Sequence, residues 1–243
     1  MHTLLLPSDL LLSEGEQTLP DAQMHHLVTV LRAKLGDKVD LTDGCGHKRV
    51  AEISQLAKRS AAITFISDVE QVPPPAVEIT LFQCIAKPAR MDWLVEKAQE
   101  LGVKRLVPIV SEFVQIKPKD SSVERWVRIA EAAITQCNSG YLMQIDAPHT
   151  WKEALLLFSE QPTLLTDLRE TVRTCSSAIN GMDSSVRKVG IIVGPEGDLS
   201  PAELEQAQAV GTIPVTLGTN ILRVETAALY AISAVEEAFA QRK

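Results

Sequence analysis

The pattern of hydrophobic and polar positions changes near residue 70 of this 243-residue chain. Before that point, "KVDLTDGCGHKRVAEIS" alternates apolar and polar positions on both sides of an Asp-Gly pair, which is typical of a β-hairpin. "SAAITFISDV" predicts one more short strand, and "DAQMHHLVTVLR" predicts a short helix that carries His25 and His26. Three successive prolines, Pro73 to Pro75, then favour an extended linker. We therefore predict a small β-rich domain before the linker.

After the linker, predicted strands and helices alternate. "VEITLFQCIA" is an apolar strand, "RMDWLVEKAQELG" has helical spacing that ends at Gly102, and "RLVPIV" completes a βαβ unit. "SSVERWVRIAEAAITQC" places Trp126 on an apolar helical stripe, and "TWKEALLLF" opens with Thr150 and Glu153 at capping-box spacing. Further strands are predicted at "TLLTDL", "VGIIVG" and "IPVTLG". This order predicts an α/β domain with a mainly parallel sheet covered on both faces.

Composition limits the class of protein. With 45% hydrophobic and 23% charged residues, the chain has the balance of a soluble globular protein. Its apolar runs fall far short of the roughly 20 residues that cross a bilayer, and the first residues lack a basic signal-peptide region. We expect a cytoplasmic protein without a membrane partner. Four scattered cysteines form no CxxC pair, which predicts buried free thiols and no metal site: Cys45, Cys84, Cys137 and Cys175.

The net charge of −7 argues against a globally basic nucleic-acid binder, but one stretch is basic. Residues 25–59, which we call the basic window, contain seven Lys or Arg against four acids. The seven are Arg32, Lys34, Lys38, Lys48, Arg49, Lys58 and Arg59. Two interpretations remain open at this point: a solvated β surface, or a face that contacts phosphate groups.

Three loops follow predicted parallel strands, where open sheets bind ligands beyond the carboxyl ends. They are "LLTDLRE", "VGPEGDLS" and "LGTNILRVETA". In the second, Ser200, Pro201 and Glu203 predict a well-capped helix start, which a purely structural connection also uses. The nucleotide motifs GxGxxG and GxxxxGK[ST] are missing, and Glu196 and Asp198 would repel a polyphosphate. An acidic loop of this kind suits a cofactor with cationic or hydroxyl groups.

These segments carry a family resemblance. "VGPEGDLSPAE" together with "LGTNILRVETAALYAISAV" resembles the paired C-terminal signature of the RsmE-type methyltransferases of the SPOUT superfamily. "HHLVTVLRAKLGDKVDLTDGCG" is similar to their N-terminal PUA-like barrel. "KPARMDWLVEKAQELGVKRLVPIVSE" is similar to the first helix and strands of their knotted domain, so the resemblance covers nearly the whole chain.

The resemblance implies a PUA-like, β-rich RNA-binding domain over residues 1–72 and a SPOUT methyltransferase domain over residues 73–243. The second domain would be α/β, with a parallel sheet and a C-terminal deep trefoil knot. The family members are homodimers that use S-adenosylmethionine to methylate N3 of a uridine in 16S ribosomal RNA. The resemblance therefore implies S-adenosylmethionine as cofactor, and 16S rRNA or the small ribosomal subunit as partner.

The same resemblance assigns residues. The cofactor would contact Leu165, Thr166, Gly194, Glu196, Gly197, Leu217, Gly218, Ile221, Leu222 and Thr226. Arg223 and Glu225 would flank the target base, the first stabilising its anion and the second orienting it or taking the proton. The alternative is that these two side chains only pair with each other. RNA would contact Arg32, Lys34, Lys48, Arg49, Lys87 and Arg90.

Several positions depart from the family pattern. Asp198 stands where glycine is usual, and cations are missing at Phe113, Ser139 and Asn220. If those cations contact RNA phosphate in the family, their loss weakens RNA binding more than cofactor binding. Two alternatives therefore stay open: a diverged SPOUT paralogue that methylates another RNA, and a non-catalytic RNA-binding or ribosome-assembly protein. The small polar residues between Arg169 and Lys188 predict a mobile loop, either closing over the site or simply exposed.

Overall fold

The computed structural model describes residues 2–30, 32–57, 60–114, 120–167 and 173–242. The chain forms two compact units. The first comprises Met1–Pro74 with Glu131–Leu142, and the second comprises Pro75–Ala130 with Met143–Lys243. Within the described ranges, no helix has the length and apolar character needed to span a membrane.

The first unit is built on one twisted six-stranded sheet. Its strands are β1 (His2–Leu5), β2 (Glu16–Thr18), β3 (Lys38–Thr42), β4 (His47–Ala57), β5 (Ser60–Phe65) and β6 (Glu70–Gln71). Its helices are α1 (Ser8–Leu11) and α2 (Asp21–His25), the latter continued by a π-helical turn over His26–Val30. The strand order is β1-β3-β4-β5-β2, with β6 also paired to β4, and only the β1–β3 pair is parallel. The predicted hairpin is confirmed as β3 and β4, with Lys38 opposite Glu52.

Residues 138–142 belong to this first unit because they pack on the β3–β4 turn. The amide of Gly46 donates to the carbonyl of Gly140 at 2.9 Å, and the Tyr141 hydroxyl donates to the carbonyl of Val72 at 2.9 Å. Gly46 has a φ of +102°, and a Cβ there would lie 2.7 Å from the Tyr141 hydroxyl. Tyr141 therefore has a structural role in the segment where the family usually carries arginine.

The second unit contains a seven-stranded sheet in which every pair between described strands is parallel. Its strands are β7 (Glu78–Cys84), β8 (Arg105–Val110), β9 (Gln144–Ile145), β10 (His149–Thr150), β11 (Thr163–Thr166), β12 (Lys188–Val193) and β13 (Ile213–Val215). The order is β10-β8-β7-β12-β11-β13, with β9 also paired to β8. The predicted parallel α/β sheet is thus confirmed.

The helices follow the predicted periodicity. They are α3 (Pro88–Glu100), α4 (Asp120–Cys137), α5 (Trp151–Phe158), α6 (Cys175–Asn180), α7 (Pro201–Ala209) and α8 (Val224–Ala240). Trp126 is buried on α4 as predicted, and Gly102 follows α3 with a φ of +73°, which suits a helix end. The Thr150–Glu153 capping box is formed.

The mobile loop predicted over 169–188 is wrong in its central part. Residues 168–172 lie outside the described ranges, but α6 begins directly after Thr174, whose side chain caps it by accepting from the Ser177 amide. Cys175 and Ile179 are buried on this helix, so its small residues pack against neighbours instead of forming a loop.

The cysteines are free thiols, as predicted, but they are not all buried. Cys45 is exposed in the hairpin turn and Cys137 is partly buried. Burial raises the pKa of Cys84 to about 12 and that of Cys175 to about 11, so both thiols are protonated at neutral pH.

Candidate functional site

A cavity of about 260 Å³ opens at the carboxyl ends of three adjacent strands, β12, β11 and β13. Since the strands are parallel, the loops that follow them meet at one edge of the sheet. The cavity is lined by Arg90, Thr166, Asp167, Val193, Gly194, Pro195, Glu196, Asp198, Leu217, Ile221, Leu222, Arg223, Val224 and Ala227. The walls are thus apolar side chains and loop backbone, with five charged side chains.

The loop after β12, residues 194–200, is held by local hydrogen bonds. The Asp198 amide donates to the Pro195 carbonyl at 3.0 Å, and the Asp198 carboxylate accepts from the next amide at 2.8 Å. Asp198 has a φ of +64°, a backbone conformation that favours glycine, the residue that the family resemblance leads us to expect here. The predicted capping box is formed, because Ser200 and Glu203 each accept from the other's amide. This loop therefore needs no ligand to keep its shape.

The loop after β13, residues 216–223, leads into α8. The Thr216 hydroxyl donates to the Gly218 carbonyl at 3.1 Å, and the Gly218 amide donates to that hydroxyl at 3.0 Å. Gly218 has a φ of +112°, which side chains rarely tolerate. Ile221 is 85% exposed at the cavity mouth, an unusual position for a large apolar side chain.

Three charged side chains from separate parts of the chain meet beside the cavity. Arg90 Nη1 donates to Glu196 Oε1 at 3.2 Å, and Arg90 Nε lies 3.8 Å from Glu225 Oε2. The Lys87 amide also donates to Glu196 Oε1, at 3.2 Å. Arg223 is exposed, and its guanidinium forms no hydrogen bond or ion pair with the residues that the structure describes. Arg223 and Glu225 are therefore not an ion pair here.

The structure brings together some of the predicted cofactor residues and separates others. Lining the cavity are Thr166, Gly194, Glu196, Leu217, Ile221 and Leu222. Leu165 is buried in the core behind it, and Gly197 contacts Phe113. Gly218 shapes the third loop without lining the cavity, and Thr226 lies on a different face of α8 with Trp93.

The sequence interpretation missed several lining residues. Asp167 directly follows β11, and Val193 is the last residue of β12. Both positions could have been predicted, because ligands bind beyond the carboxyl ends of parallel strands. Val224 and Ala227 belong to the first turn of α8 and face the cavity by helical spacing. Arg90 had been assigned to RNA, but it lines this cavity.

The predicted RNA-binding residues divide by exposure. Arg32, Lys34 and Lys87 are exposed, whereas Lys48 is half-buried and its ammonium donates to the Asn138 carbonyl. Lys58 and Arg59 of the basic window lie outside the described residues.

Arg49 differs from these because it is buried in the first unit. Its guanidinium donates to the carbonyls of Ser67 at 2.9 Å, Ser13 at 2.7 Å and Leu11 at 3.3 Å. It also lies 3.8 Å from the centre of the Phe65 ring. These contacts, with Glu14 Oε2 a further 3.7 Å from the guanidinium, occupy Arg49 within the first unit, and its contact with RNA stays a prediction.

No group of three His, Cys, Asp or Glu side chains in the described part of the chain is arranged to hold a metal ion. The charged groups of the cavity are carboxylates and guanidinium groups, which act through ion pairs and hydrogen bonds.

The chain is similar to known RNA methyltransferases along most of its length. A family model described as an RNA methyltransferase domain matches residues 73–236, and one described as an RNA methyltransferase PUA domain matches residues 19–66. The ribosomal RNA small subunit methyltransferase E of Bacillus subtilis is 26% identical over 221 residues, covering 88% of this chain and 86% of that protein. Its counterpart in Synechocystis is 29% identical over 224 residues, and the match covers 91% of this chain and 73% of that protein.

Among solved structures, the ribosomal RNA small subunit methyltransferase E of Neisseria gonorrhoeae bound to S-adenosyl methionine matches with a TM-score of 0.88. It is 30% identical, and the match covers 98% of this chain and 97% of that one. The parallel sheet, the PUA-like first unit and these matches agree, and the chain belongs to the RNA methyltransferase family, in its small subunit methyltransferase E (RsmE-type) branch.

Proposed function

We propose that this chain is an S-adenosylmethionine-dependent methyltransferase that methylates N3 of a uridine in 16S ribosomal RNA. The observation that carries the proposal is the cavity formed by three loops at the ends of β11, β12 and β13. The relative from Neisseria gonorrhoeae, which binds S-adenosyl methionine, matches across both units and supports the same cofactor here.

The residues of the cavity fit this cofactor. Leu217, Ile221 and Leu222 offer an apolar wall for a flat adenine ring, and the backbone of the neighbouring loops offers amides and carbonyls for its polar edge. The Glu196 carboxylate favours a cationic ligand and disfavours a polyphosphate. When bound, S-adenosylmethionine supplies a methyl group on a positively charged sulfur.

Methylation of uridine N3 requires the loss of its proton, as the bond from nitrogen to the methyl carbon forms and the bond from sulfur to that carbon breaks. Arg223 is exposed at the cavity and has no partner within the described ranges, so its guanidinium is available to stabilise the uridine anion. The Glu225 side chain is only 14% exposed and would orient the base or accept its proton.

We propose that exposed cations guide the RNA to this site. Arg32 and Lys34 extend from the first unit into solvent, and Lys87 does so at the start of α3 in the second. Exposed Lys and Arg neutralise RNA phosphates and release counterions. Lys48 would add to this only by giving up its bond to the Asn138 carbonyl.

We propose that the protein is a homodimer and that α3 and α8 form the interface. Trp93 on α3 is 44% exposed and Tyr230 on α8 is 52% exposed, and they line one shallow apolar depression. An exposed aromatic patch of this kind is typical of an interface between subunits. Light scattering should give twice the chain mass of 26.5 kDa, and the Trp93→Glu, Tyr230→Glu double variant should give the single mass. A wild-type mass of one chain would refute the dimer.

We further propose that the C-terminal segment forms a trefoil knot. β13 lies at the edge of the sheet, whereas α8, which follows it, packs back against α3, α6 and β12. The Thr216 amide also donates to the Arg173 carbonyl at 2.9 Å, so the segment before α6 runs beside the chain that leads into α8. The proximity of these two segments of the chain supports a knotted path.

The direct test of the activity uses small ribosomal subunits that lack the modification. After incubation with S-adenosylmethionine carrying a labelled methyl group, mass spectrometry should find the label on N3 of one uridine in 16S RNA. Arg223→Ala should bind cofactor normally and transfer the methyl group at least about 100-fold more slowly. Unchanged transfer by Arg223→Ala would refute its role at the base.

A second function, methylation of a different RNA, is favoured by one observation. Phe113, where the family usually has a cation, is 44% exposed and lies against Gly197 of the second loop. The lost cation is therefore next to the cofactor loop, where it would affect substrate choice. If the labelled methyl group is found on a nucleotide other than a 16S uridine, the result supports this alternative. If the protein binds no S-adenosylmethionine at saturating concentration, the result supports a non-catalytic RNA-binding protein.

A further inference from the structure

Arg90 lies close to a loop of the cavity and to the first turn of α8 at once. It lies in the first turn of α3, and its guanidinium is 3.2 Å from Glu196 of the second loop and 3.8 Å from Glu225 of α8. About one-third of the side chain is exposed. One cation therefore faces two carboxylates that are distant in sequence.

The two carboxylates depend on Arg90 to different degrees. Glu196 also accepts the Lys87 amide, so it keeps one hydrogen bond without Arg90. Glu225 Oε2 is buried and accepts no hydrogen bond from any described residue, and 3.8 Å is longer than a hydrogen bond. Among the described residues, Arg90 is the cation within ion-pair distance of Glu225, so it offsets part of the cost of burying that carboxylate.

The local charge also disfavours phosphate binding by Arg90. The guanidinium contributes one positive charge, and Glu196 and Glu225 contribute two negative charges, which leaves a net charge of −1. An RNA phosphate approaching this group meets repulsion from both carboxylates. Lys87, three residues away, is exposed, and its ammonium forms no ion pair with the described residues.

We propose that Arg90 is a positioning residue of the methyl-transfer site, which holds Glu225 and the Glu196 loop in place, and that it is not an RNA phosphate contact. This inference rests on the function proposed above. In this role Arg90 acts through the two carboxylates that it contacts.

The experiment compares Arg90→Met with Lys87→Met, two neighbouring cations replaced by the same side chain. Calorimetry measures the Kd for S-adenosylmethionine, and filter binding measures RNA affinity over a range of salt concentrations. Arg90→Met should raise the cofactor Kd about tenfold and leave the salt slope of RNA binding unchanged. Lys87→Met should leave the cofactor Kd within twofold and reduce the slope by about one. Arg90→Lys, which keeps the charge, should recover part of the cofactor affinity.

The reverse result overturns the inference: Arg90→Met flattens the salt slope by about one and leaves the cofactor Kd unchanged. If the wild type binds no S-adenosylmethionine, the proposed function fails, and thermal unfolding then decides the role of Arg90 separately. Introduced into the wild-type protein, Arg90→Met should lower the midpoint temperature of unfolding. Introduced into the Glu225→Gln variant, where the buried charge is gone, it should have little effect on that temperature. An equal effect in both backgrounds contradicts the positioning role.

Discussion

Two regions of the molecule differ in the groups that form them. One is the cavity at the ends of β11, β12 and β13, and the other is the basic window over residues 25–59. The cavity is shaped by loop backbone and apolar side chains, with Gly218 and Asp198 in the left-handed region of backbone conformations. In the described part of the basic window, Lys38, Lys48 and Arg49 lie on β3 and β4, whose backbone is occupied by strand pairing, and Arg32 and Lys34 lie on the segment before β3.

This difference determines how each region tolerates substitution. Backbone geometry at the cavity survives many side-chain changes, which agrees with the family match despite identities of 26–30%. An exposed side chain such as Phe113 can be replaced with little effect on the fold. Cofactor binding is therefore constrained by the fold, whereas RNA binding depends on individual side chains.

The largest effect is expected at Arg49, which is buried among the described residues of the basic window. Arg49→Met removes the donor to three backbone carbonyls and should lower the free energy of unfolding by about 3 kcal/mol. Lys34→Met, at an exposed position, should change it by no more than about 0.5 kcal/mol. Denaturant titration gives both values. A stable Arg49→Met with a flattened salt slope for RNA binding would show that Arg49 contacts RNA after all.

The next effect concerns the backbone of the cavity. Gly218→Val places a branched side chain at a φ of +112°, at a strain of about 1–3 kcal/mol, and should weaken S-adenosylmethionine binding about 10- to 100-fold. Gly211→Val is the matched control, since Gly211 has a φ of +89° and lies outside the cavity. It should lower the melting temperature comparably and leave the cofactor Kd within twofold. Equal loss of cofactor affinity in both variants would show that the effect is general destabilisation.

A smaller effect is expected on the substrate side. Phe113→Arg restores a cation beside the second loop and should steepen the salt dependence of RNA binding by about one, with cofactor affinity unchanged. Phe113→Met keeps an apolar contact with Gly197 and should leave the slope unaltered. Filter binding across salt concentrations measures both, and an unchanged slope in Phe113→Arg would place this position away from the RNA.

The smallest effect is expected at Asp198. Asp198→Gly relieves a φ of +64° and should stabilise the protein by about 0.5–1 kcal/mol. Asp198→Asn removes the charge and keeps an oxygen for the Leu199 amide. Calorimetry should give cofactor Kd values within about threefold of wild type for both. A tenfold loss in Asp198→Asn alone would mean that the carboxylate contacts the cofactor.

Local patterns could be predicted from the sequence, and long-range charge pairing could not. The Ser200–Glu203 capping box and the hairpin of β3 and β4 each depend on residues a few positions apart, and both are confirmed. The Arg90–Glu196–Glu225 contact joins residues from three segments, and no spacing in the chain indicates it.

The alternation of β4 predicts the burial of Arg49. Arg49 shares the two-residue period of Ala51 and Ile53 on β4, both of which are buried, so the alternation already directed it inward. Thr226 is a similar case, since it lies outside the buried stripe of α8 and away from the cavity. The roles that charge and the family resemblance assign to these two residues stay predictions.

The most direct test of the account is a crystal structure of the protein grown with saturating S-adenosylmethionine. The account predicts electron density for the cofactor between Thr166, the loop 194–198 and the loop 217–223, in contact with the cavity walls described above. Density at another site, or none in this cavity at saturation, would contradict it.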